Sequence, residues 1–241
     1  MNSDRRVDRQ ELRNELHVWT AHPDSDNWLD PDLSELSGDE LARQVRFLRG
    51  SDRHLFLVAH AFVRRTLSRY VDIAPKDWEF ATGQFGRPEI TNQLDGGALR
   101  FNLSHTDGCV ALIVHDQRPA GVDVERVGRV SDPLQLAKSV FAQRELEGLA
   151  LCGPGSQEER FYRLWTLKES FIKATGRGLH EPLKDFWFDP SDPANIEFGC
   201  RPTVSETPGM WRFTTQRISS DHYLATASAS GQSALRIRLF D

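Results

Sequence analysis

Two acidic residues at alternate positions, Asp123 and Glu125, stand in the segment Gly121-Val122-Asp123-Val124-Glu125. In a β-strand, side chains alternate between the two faces, so both carboxylates would share one face while the two valines face the core. Such a pair can hold a hard cation, because Mg²⁺ often takes only one or two protein carboxylates and completes its shell with water and substrate phosphate. An exposed acidic strand face is the alternative that this segment leaves open.

A second group of charged residues lies in Phe161–Thr175, where apolar residues recur at helical spacing. Glu169 and Lys173 are four residues apart and fall on one face beside the apolar stripe. A surface ion pair is one interpretation. The other is a third carboxylate for a metal, beside a cation that neutralises phosphate. Lys168 falls near the apolar stripe, where a charge needs a partner, and Trp165 is predicted to be core.

Polar side chains suited to phosphate contacts occur earlier in the chain. Phe101 is followed by Asn102, Ser104 and His105, and a Gly-Arg-Pro turn presents Arg87. Arginine binds phosphate oxygens through its planar fork. The alternatives are a plain turn with a solvated arginine at Arg87, and an Asx or Ser turn with an incidental histidine at His105. Ser104 lacks a G-x-S-x-G elbow, which argues against a serine hydrolase.

The elements that must position these residues follow the order helices, strands, helices, strands, which predicts an α+β fold. The first predicted helix begins at the capping box Ser37–Glu40 and ends at Gly50. Further helices are predicted to begin at Asp52, Asp132 and Gln143. The last begins at the capping box Ser156–Glu159 and ends at Gly176. The predicted strands are His17–Thr20, Trp78–Ala81, Leu99–Leu103, Cys109–Val114, Gly121–Glu125, Phe186–Phe188, Trp211–Thr214, Tyr223–Ala227 and Leu235–Phe240.

A weak internal echo indicates two related lobes. His60–Arg64 and Glu169–Lys173 each run polar, small, apolar, apolar, cationic. The turn Gln117–Ala120 is the predicted boundary, which gives an N-terminal lobe of residues 1–119 and a C-terminal lobe of residues 120–241.

Composition excludes several classes of protein. The net charge of -5 disfavours nucleic-acid binding, which draws on a basic excess. The three cysteines are far apart and form no CxxC pair, so a disulfide framework or a zinc site is not expected. The sequence shows neither a signal peptide nor an apolar run long enough for a membrane span, so we expect a cytoplasmic protein.

Taken together and in this order, these pieces resemble the 4′-phosphopantetheinyl transferases, in particular the long, two-lobed type that activates peptide and siderophore synthetases. The resemblance runs from about residue 35 to residue 230. The segments that carry it are Phe85–Pro88, Phe101–His105, Gly121–Glu125, Phe141–Glu145, Trp165–Lys173 and Gly178–Leu183.

The resemblance implies a reaction and a fold. Coenzyme A would donate its phosphopantetheine group to a serine of an apo acyl or peptidyl carrier protein, a transient partner, and adenosine 3′,5′-bisphosphate would be released. The carrier could belong to fatty-acid synthesis or to a peptide, polyketide or siderophore synthase. The fold would be two similar α+β lobes related by pseudo-twofold symmetry, with the active site in the cleft between them, and we expect a monomer.

The resemblance also implies roles for single residues. Asp123, Glu125 and Glu169 would bind Mg²⁺ against the pyrophosphate, and Lys173 would neutralise charge on the phosphate. Glu169, Glu145 or a metal-bound water would accept the serine proton. The remaining contacts to coenzyme A would come from Arg87, Asn102, Ser104 and His105, with Asp123 and Lys173 at the pyrophosphate.

Three points depart from the family or stay open. Arg87 stands where the family often has lysine. The basic residues for the 3′-phosphate align poorly, so Arg53 is the first candidate, with Arg43, Arg46 and Arg49 as rivals. A surface of Lys138, Val140, Phe141 and Arg144 could contact the carrier protein, or could be an ordinary amphipathic helix.

Two other functions remain as alternatives. A metal-dependent phosphodiesterase or nuclease would use the same carboxylates, although the usual nuclease motif places Glu and Lys two apart on a strand. A non-catalytic coenzyme A sensor would keep the fold and lose the reaction.

Overall fold

The computed structural model describes residues 6–23, 31–83, 86–178, 181–229 and 236–240. The predicted residues Phe85, Leu179, His180 and Leu235 lie outside these ranges. The chain divides into two compact units, one made of Met1–Gln117 with Arg236–Asp241 and the other of Arg118–Leu235. Both units contain helices and antiparallel sheets, which confirms the α+β class.

The first unit packs one long helix on an antiparallel sheet. Its elements are β1 (Glu15–Ala21), α1 (Gly38–Gln44), α2 (Gly50–Leu67), β2 (Phe80–Thr82), β3 (Pro88–Ile90), β4 (Arg100–Thr106) and β5 (Cys109–His115). Strand β5 pairs antiparallel with β1 on one side and β4 on the other, and β2 pairs with β3 as a separate hairpin. Val58 and Phe62 of α2 are buried in one cluster with Trp19, Phe101 and Leu112 of the sheet.

The second unit repeats this arrangement. Its elements are β6 (Ala120–Arg126), α3 (Pro133–Val140), α4 (Gln143–Ala150), α5 (Pro154–Thr175), β7 (Phe186–Asp189), β8 (Glu197–Cys200), β9 (Trp211–Arg217) and β10 (His222–Ala229). Strand β10 pairs antiparallel with both β6 and β9, and β7 pairs with β8 as a hairpin. An aromatic cluster fills the core, in which the ring of Phe171 on α5 lies 4.9 Å from those of Phe186, Phe198 and Trp211.

The two units therefore share one topology. In each, a first strand leads to a long helix, through one short α-helix in the first unit and two in the second. A hairpin and then two strands that complete the sheet follow. The sheet orders β1-β5-β4 and β6-β10-β9 correspond strand by strand. This correspondence supports the predicted similarity of the two lobes.

A buried ion pair occupies the same place in both units. In the first, Glu40 of α1 closes a capping box with Ser37 and pairs with Arg64 of α2 at 2.8 Å. Arg64 also donates to the backbone oxygens of Pro75 and Trp78, which lead into the hairpin.

In the second unit, Glu145 of α4 accepts the backbone N–H of Ala142 and pairs with Lys168 of α5 at 2.8 Å. Lys168 donates to the backbone oxygens of Leu183 and Phe186, again leading into the hairpin. Arg64 thus corresponds to Lys168. The internal similarity in the sequence aligned Arg64 with Lys173. That alignment was wrong, because the buried ion pairs match Arg64 of α2 with Lys168 of α5.

The predicted helix starts need two corrections. Gly50 opens α2 instead of ending the preceding helix, and the N-cap is Arg49, not Asp52, with no side-chain hydrogen bond to the cap. Helix α5 begins at Pro154 with Gly153 as its N-cap, so Ser156 lies inside the first turn. At α5 the local signal is Pro154 at the first helical position, and not the capping-box pattern that begins at Ser156. The predicted end at Gly176 is confirmed by its left-handed backbone, with φ at 71°.

The division of the chain differs from the predicted boundary at its end. Strand β11 (Arg236–Phe240) pairs in parallel with β1, so the last residues belong to the first unit instead of the C-terminal lobe. Local sequence predicts that this segment is a strand but carries no signal for the strand with which it pairs. Among the described residues, no helix is long and apolar enough to cross a membrane.

Removing one partner of the buried ion pair should destabilise the second unit. Glu145→Ala leaves the ammonium of Lys168, whose side chain is 0% exposed, without its counter-charge. We expect a loss of about 3–5 kcal/mol in the free energy of unfolding, measured by urea denaturation. Arg144→Ala, which removes a neighbouring exposed ion pair with Glu197, is the control and should cost less than about 1 kcal/mol. Equal losses for the two variants would contradict the structural role of Glu145.

Candidate active site

The acidic face of β6 lies against helix α5. A Cβ atom on Gly121 would lie 2.3 Å from the backbone oxygen of Ser170 and 2.5 Å from the backbone nitrogen of Ala174, so strand and helix are in backbone contact there. Asp123 and Glu125 follow Gly121 on the same face. Asp123 is only 3% exposed, which removes the alternative of a solvated acidic strand face.

Helix α5 contributes the partners of both carboxylates. Lys173 Nζ donates to Asp123 Oδ1 at 2.7 Å, and the indole Nε1 of Trp165 donates to Glu125 Oε1 at 3.2 Å. Arg129 also approaches Glu125, at 3.7 Å. The strand and the helix therefore hold two carboxylates and one lysine together, as the two motifs predicted. The ion pair of Lys173 is with Asp123, across the two elements.

Glu169 is the third carboxylate of this group. Burial raises its pKa to about 7, assisted by the negative charges of Asp123 and Glu125 and opposed by Lys173. Burial and the charge of Asp123 also raise the pKa of Glu125. Because each carboxylate affects the others electrostatically, the structure brings the three predicted acidic residues into one site.

The donor chemistry of this site fits a hard divalent cation. Three carboxyl groups share this partly buried site with two cations, Lys173 and Arg129, and the pKa values of Glu125 and Glu169 are raised by burial and by the neighbouring carboxylates. Magnesium prefers such oxygen ligands. Their oxygens are not all within 4.8 Å of one another; among the described residues, one set of three groups meets that limit, Glu11, Glu15 and His17. That set already binds Arg238 of β11, whose guanidinium lies 2.6 Å from Glu11.

Glu145, a predicted proton acceptor, is fully engaged elsewhere. Its side chain is 0% exposed, its Oε1 accepts the backbone N–H of Phe188, and its Oε2 lies 2.8 Å from Lys168 Nζ. These contacts argue against a catalytic role, because a carboxylate committed to a buried ion pair does not reach a substrate hydroxyl. Ala142 has no side-chain acceptor, so the sequence carries no capping-box signal for this structural role.

The first unit holds a frame like that of the second but not its carboxylates. Five residues after Arg64, Arg69 stacks 4.8 Å over the ring of Trp19 in β1. Five residues after Lys168, Lys173 binds Asp123 in β6. Trp19 therefore takes the place of Asp123, and within the described ranges the group of three carboxylates with a lysine lies in the second unit.

The first unit instead contains a basic pocket of about 660 Å³. Its lining holds His60 and Phe80, four cationic side chains and three acidic ones: Arg43, Arg46, Arg64, Lys76, Asp39, Glu40 and Glu79. Arg53, the predicted 3′-phosphate contact, is not part of this lining; it is exposed and donates to the backbone oxygen of Phe47. Arg43 and Arg46, predicted as rivals, are the arginines that face a pocket, and Lys76 was not anticipated.

The remaining predicted contacts lie along β4, which continues to Thr106 where a turn had been expected after residue 103. Asn102 and Ser104 are buried on one face, and His105 is exposed on the other. His105 shares the face of Leu103, which lines the basic pocket. Side-chain alternation thus separates His105 from Asn102 and Ser104.

Arg87 is largely buried beside β4. Its guanidinium donates to the backbone oxygen of Phe101 at 3.2 Å and lies 3.4 Å from His115 Nε2. Burial and the charge of Arg100 lower its pKa. It lines a second cavity of about 230 Å³, next to the basic pocket, with which that cavity shares Pro88 and Phe101.

Comparison with known proteins places this site in a family. A family model described as the 4′-phosphopantetheinyl transferase superfamily matches residues 119–227, a range that contains the three carboxylates and Lys173. The 4′-phosphopantetheinyl transferase HetI of a Nostoc species is 32% identical over 188 residues, which cover 77% of this chain and 79% of HetI. Sfp of Bacillus subtilis, also a 4′-phosphopantetheinyl transferase, is 34% identical over 154 residues, 64% of this chain and 66% of Sfp.

Among solved structures, a holo-(acyl-carrier-protein) synthase of Bacillus anthracis in complex with coenzyme A aligns with 47% of this chain and 96% of its own. The TM-score is 0.41 and the sequence identity 14%. On the sequence matches, the chain belongs to the 4′-phosphopantetheinyl transferase superfamily.

The contact between β6 and α5 can be tested at Gly121. Gly121→Ala must push Ser170 and Ala174 away, because real Cβ atoms do not approach backbone atoms at the distances this one would. We expect the variant to lose about 1–3 kcal/mol of stability, as overpacked cores do, in urea denaturation. Gly155→Ala, on the helix that Gly121 contacts, is the control, because nothing lies within 4 Å of its added Cβ. An unchanged stability for Gly121→Ala would refute the contact.

Proposed function

We propose that the chain transfers the 4′-phosphopantetheine group of coenzyme A to a serine of an apo acyl or peptidyl carrier protein and releases adenosine 3′,5′-bisphosphate. The observation that carries this proposal is the cluster of Asp123, Glu125 and Glu169 beside Lys173, within the range that the family model matches. The relatives HetI and Sfp bear the name of this activity. The phosphodiesterase and sensor alternatives have no comparable support.

The site suits phosphoryl transfer, which depends on placement and charge neutralisation more than on covalent chemistry. We propose that Asp123, Glu125 and Glu169 bind Mg²⁺. When bound, the ion would supply positive charge for the phosphate oxygens. The side chain of Lys173 is 26% exposed, so its ammonium can contact a phosphate while it still contacts Asp123.

Glu169, or a water bound to the ion, is the proposed acceptor of the serine proton. The pKa of Glu169 is about 7 without the ion, and a bound Mg²⁺ would lower it, so a pKa near the working pH does not by itself select Glu169. Glu145 drops out as a rival because its ion pair with Lys168 is buried.

The basic pocket of the first unit is the proposed site for the 3′-phosphate end of coenzyme A. Arg43, Arg46 and Lys76 offer cations there, and Phe80 offers an aromatic surface for a base. His105 lies on the strand face that borders this pocket. Asn102 and Ser104, on the other face of β4, and Arg87, in the adjoining cavity, stay as proposed contacts farther along the ligand.

Mass spectrometry of the carrier protein tests the reaction directly. After incubation with coenzyme A and Mg²⁺, an apo acyl or peptidyl carrier protein should gain roughly 340 Da, as one phosphodiester-linked phosphopantetheine. Asp123→Ala and Glu169→Ala should each slow the transfer by about 100-fold or more, since each removes charge stabilisation from the site. Glu197→Ala, which removes an exposed carboxylate of the same unit, should keep the wild-type rate. Absence of a mass gain with every carrier type would refute the proposed function.

The raised pKa of Glu169 gives Mg²⁺ binding a defined pH dependence. Below pH 7 the carboxyl is protonated and must release its proton to bind the ion, so the affinity should fall as the pH falls through about 7. Isothermal titration of Mg²⁺ at pH 6 in two buffers should show release of nearly one proton, which Glu169→Gln should abolish.

The raised pKa of Glu169 also makes the stability of the protein depend on pH. An ordinary salt bridge lowers a carboxyl pKa and adds stability as the pH rises, whereas this raised pKa removes stability as the pH rises. The folded protein holds a proton on Glu169 that the unfolded chain releases at lower pH, so the metal-free protein should lose stability as the pH rises toward about 7. Glu169→Gln should reduce that loss.

In the Mg²⁺ titration, proton release at pH 6 that persists in Glu169→Gln would assign the titration to another group.

A further inference from the structure

A buried histidine, His115, lies at the end of β5 beside Arg87. It is 0% exposed, and its ring nitrogen Nε2 lies 3.4 Å from Nη2 of Arg87. None of the sequence motifs includes this histidine, and the proposed reaction assigns it no role. A buried histidine can simply fill space in a core, so the group that it contacts decides what it does.

The backbone of Arg87 is held by the turn that precedes β3. The backbone N–H of Gly83 donates to the backbone oxygen of Arg87 at 2.7 Å, and the backbone N–H of Gly86 donates to the oxygen of Gly83 at 3.0 Å. Gly86 has a left-handed backbone, with φ at 82°, which residues with a Cβ rarely adopt. A closed turn therefore sets the position from which the Arg87 side chain starts.

Two acceptors from the sheet hold the far end of the same side chain. Nη2 of Arg87 donates to the backbone oxygen of Phe101 in β4 at 3.2 Å and approaches His115 Nε2 in β5. The antiparallel pairing sets the spacing of these acceptors, because Phe101 stands opposite Val114, the neighbour of His115. Both hydrogens of one terminal nitrogen thus have an acceptor. Since a guanidinium is rigid and planar, fixing Nη2 also fixes the directions of Nη1 and Nε.

The contact between His115 and Arg87 needs a neutral imidazole, because a protonated ring has no acceptor to offer. Burial, and next the positive charge of Arg87, lower the pKa of His115 to about 3. The charge of Arg100 acts in the same direction, and Asp116 opposes it. At neutral pH the ring is therefore uncharged. Its Nε2 accepts from Arg87, and its proton stands on Nδ1.

The guanidinium that His115 holds faces a cavity. Arg87 lines the cavity of about 230 Å³ together with Asn92, Gly97 and Arg100. A long side chain that moves freely loses its rotamer freedom when it binds a ligand, whereas a side chain that is already held has less freedom to lose. An acceptor that holds Arg87 in the free protein therefore lowers the free-energy cost of binding a ligand there.

We propose that His115 is a positioning residue for coenzyme A, an inference that rests on the proposed function. It orients the guanidinium of Arg87 before the ligand binds and makes no contact with the ligand itself. The role belongs to the acceptor Nε2 and not to the bulk of the ring. A side chain that replaces the acceptor should therefore keep the role, and an apolar side chain of similar size should lose it.

Isothermal titration with coenzyme A tests this role without any transfer. In His115→Leu, which removes the acceptor, the Kd should rise by about 3- to 10-fold, the cost of ordering one long side chain on binding. His115→Asn, whose amide ends short of Nε2, should behave in the same way. His115→Gln, whose amide oxygen can take the place of Nε2, should stay within about 2-fold of the wild type. The kcat for transfer at saturating coenzyme A should not change, because β6 and α5 build the acidic site.

A double-mutant cycle shows whether His115 acts through Arg87. Arg87→Ala should raise the Kd for coenzyme A, and adding His115→Leu should raise it no further, because no guanidinium is left to orient. An effect of His115→Leu that is equally large with and without Arg87 would overturn the proposal. So would a Kd that His115→Leu leaves unchanged, or one that His115→Gln raises as much as His115→Leu does.

Ile113→Val is the matched control for loss of packing. Ile113 lies two residues before His115 on the same face of β5, is also buried, and has no hydrogen-bonding side chain. The variant should lower the free energy of unfolding in urea and leave the Kd for coenzyme A unchanged. An equal rise of the Kd in Ile113→Val and His115→Leu would assign the effect to a loosened sheet and refute the positioning role.

The outcomes for His115 and for the proposed function are separable. A Kd raised in His115→Leu, with no transfer by the wild type to any carrier protein, would refute the function and keep the positioning role. Transfer by the wild type, with equal Kd values for wild type and His115→Leu, would refute the positioning role and keep the function. A wild type that does not bind coenzyme A would refute both.

Discussion

The structure of the second unit depends on how closely helix α5 approaches strand β6. At Gly121 the strand has no side chain, and the helix backbone fills that space. This contact sets the distance at which Lys173 reaches Asp123 and Trp165 reaches Glu125. The aromatic cluster around Phe171 then holds the helix from its other side. A site of charged groups is thereby built on two regular elements whose backbones touch, so its side chains have little freedom to separate.

Both units contain the same arrangement of a short helix, a long helix, a hairpin and a sheet. The residues that hold this arrangement together can therefore be told apart from those that form the acidic site. Each unit ties a short helix, a long helix and a hairpin together with one buried ion pair, Glu40 with Arg64 or Glu145 with Lys168. Buried charges are costly without partners, so these pairs and their backbone acceptors fix a single arrangement of the elements. Chemistry is added to this frame at other positions. Where the second unit has Asp123 beside Lys173, the first has Trp19 beside Arg69.

Charge balance also distinguishes the acidic site from the two buried ion pairs. At the acidic site, burial and the negative charges of Asp123 and Glu125 raise the pKa of Glu169. Three carboxylates share this site with Lys173, whereas the buried Glu40 and Glu145 each have a cationic partner of their own.

The sequence by itself determined most of the elements and the acidic site. Alternation in β6 and the spacing on α5 selected Asp123, Glu125, Glu169 and Lys173, because such periodicity is a local property that survives folding. Tertiary structure decided what depends on long-range contacts. It committed Glu145 to a buried ion pair, joined the last strand to the first unit, and turned Arg43 and Arg46, not Arg53, toward a pocket. None of these is encoded in a short window of sequence, since each depends on which distant element packs alongside.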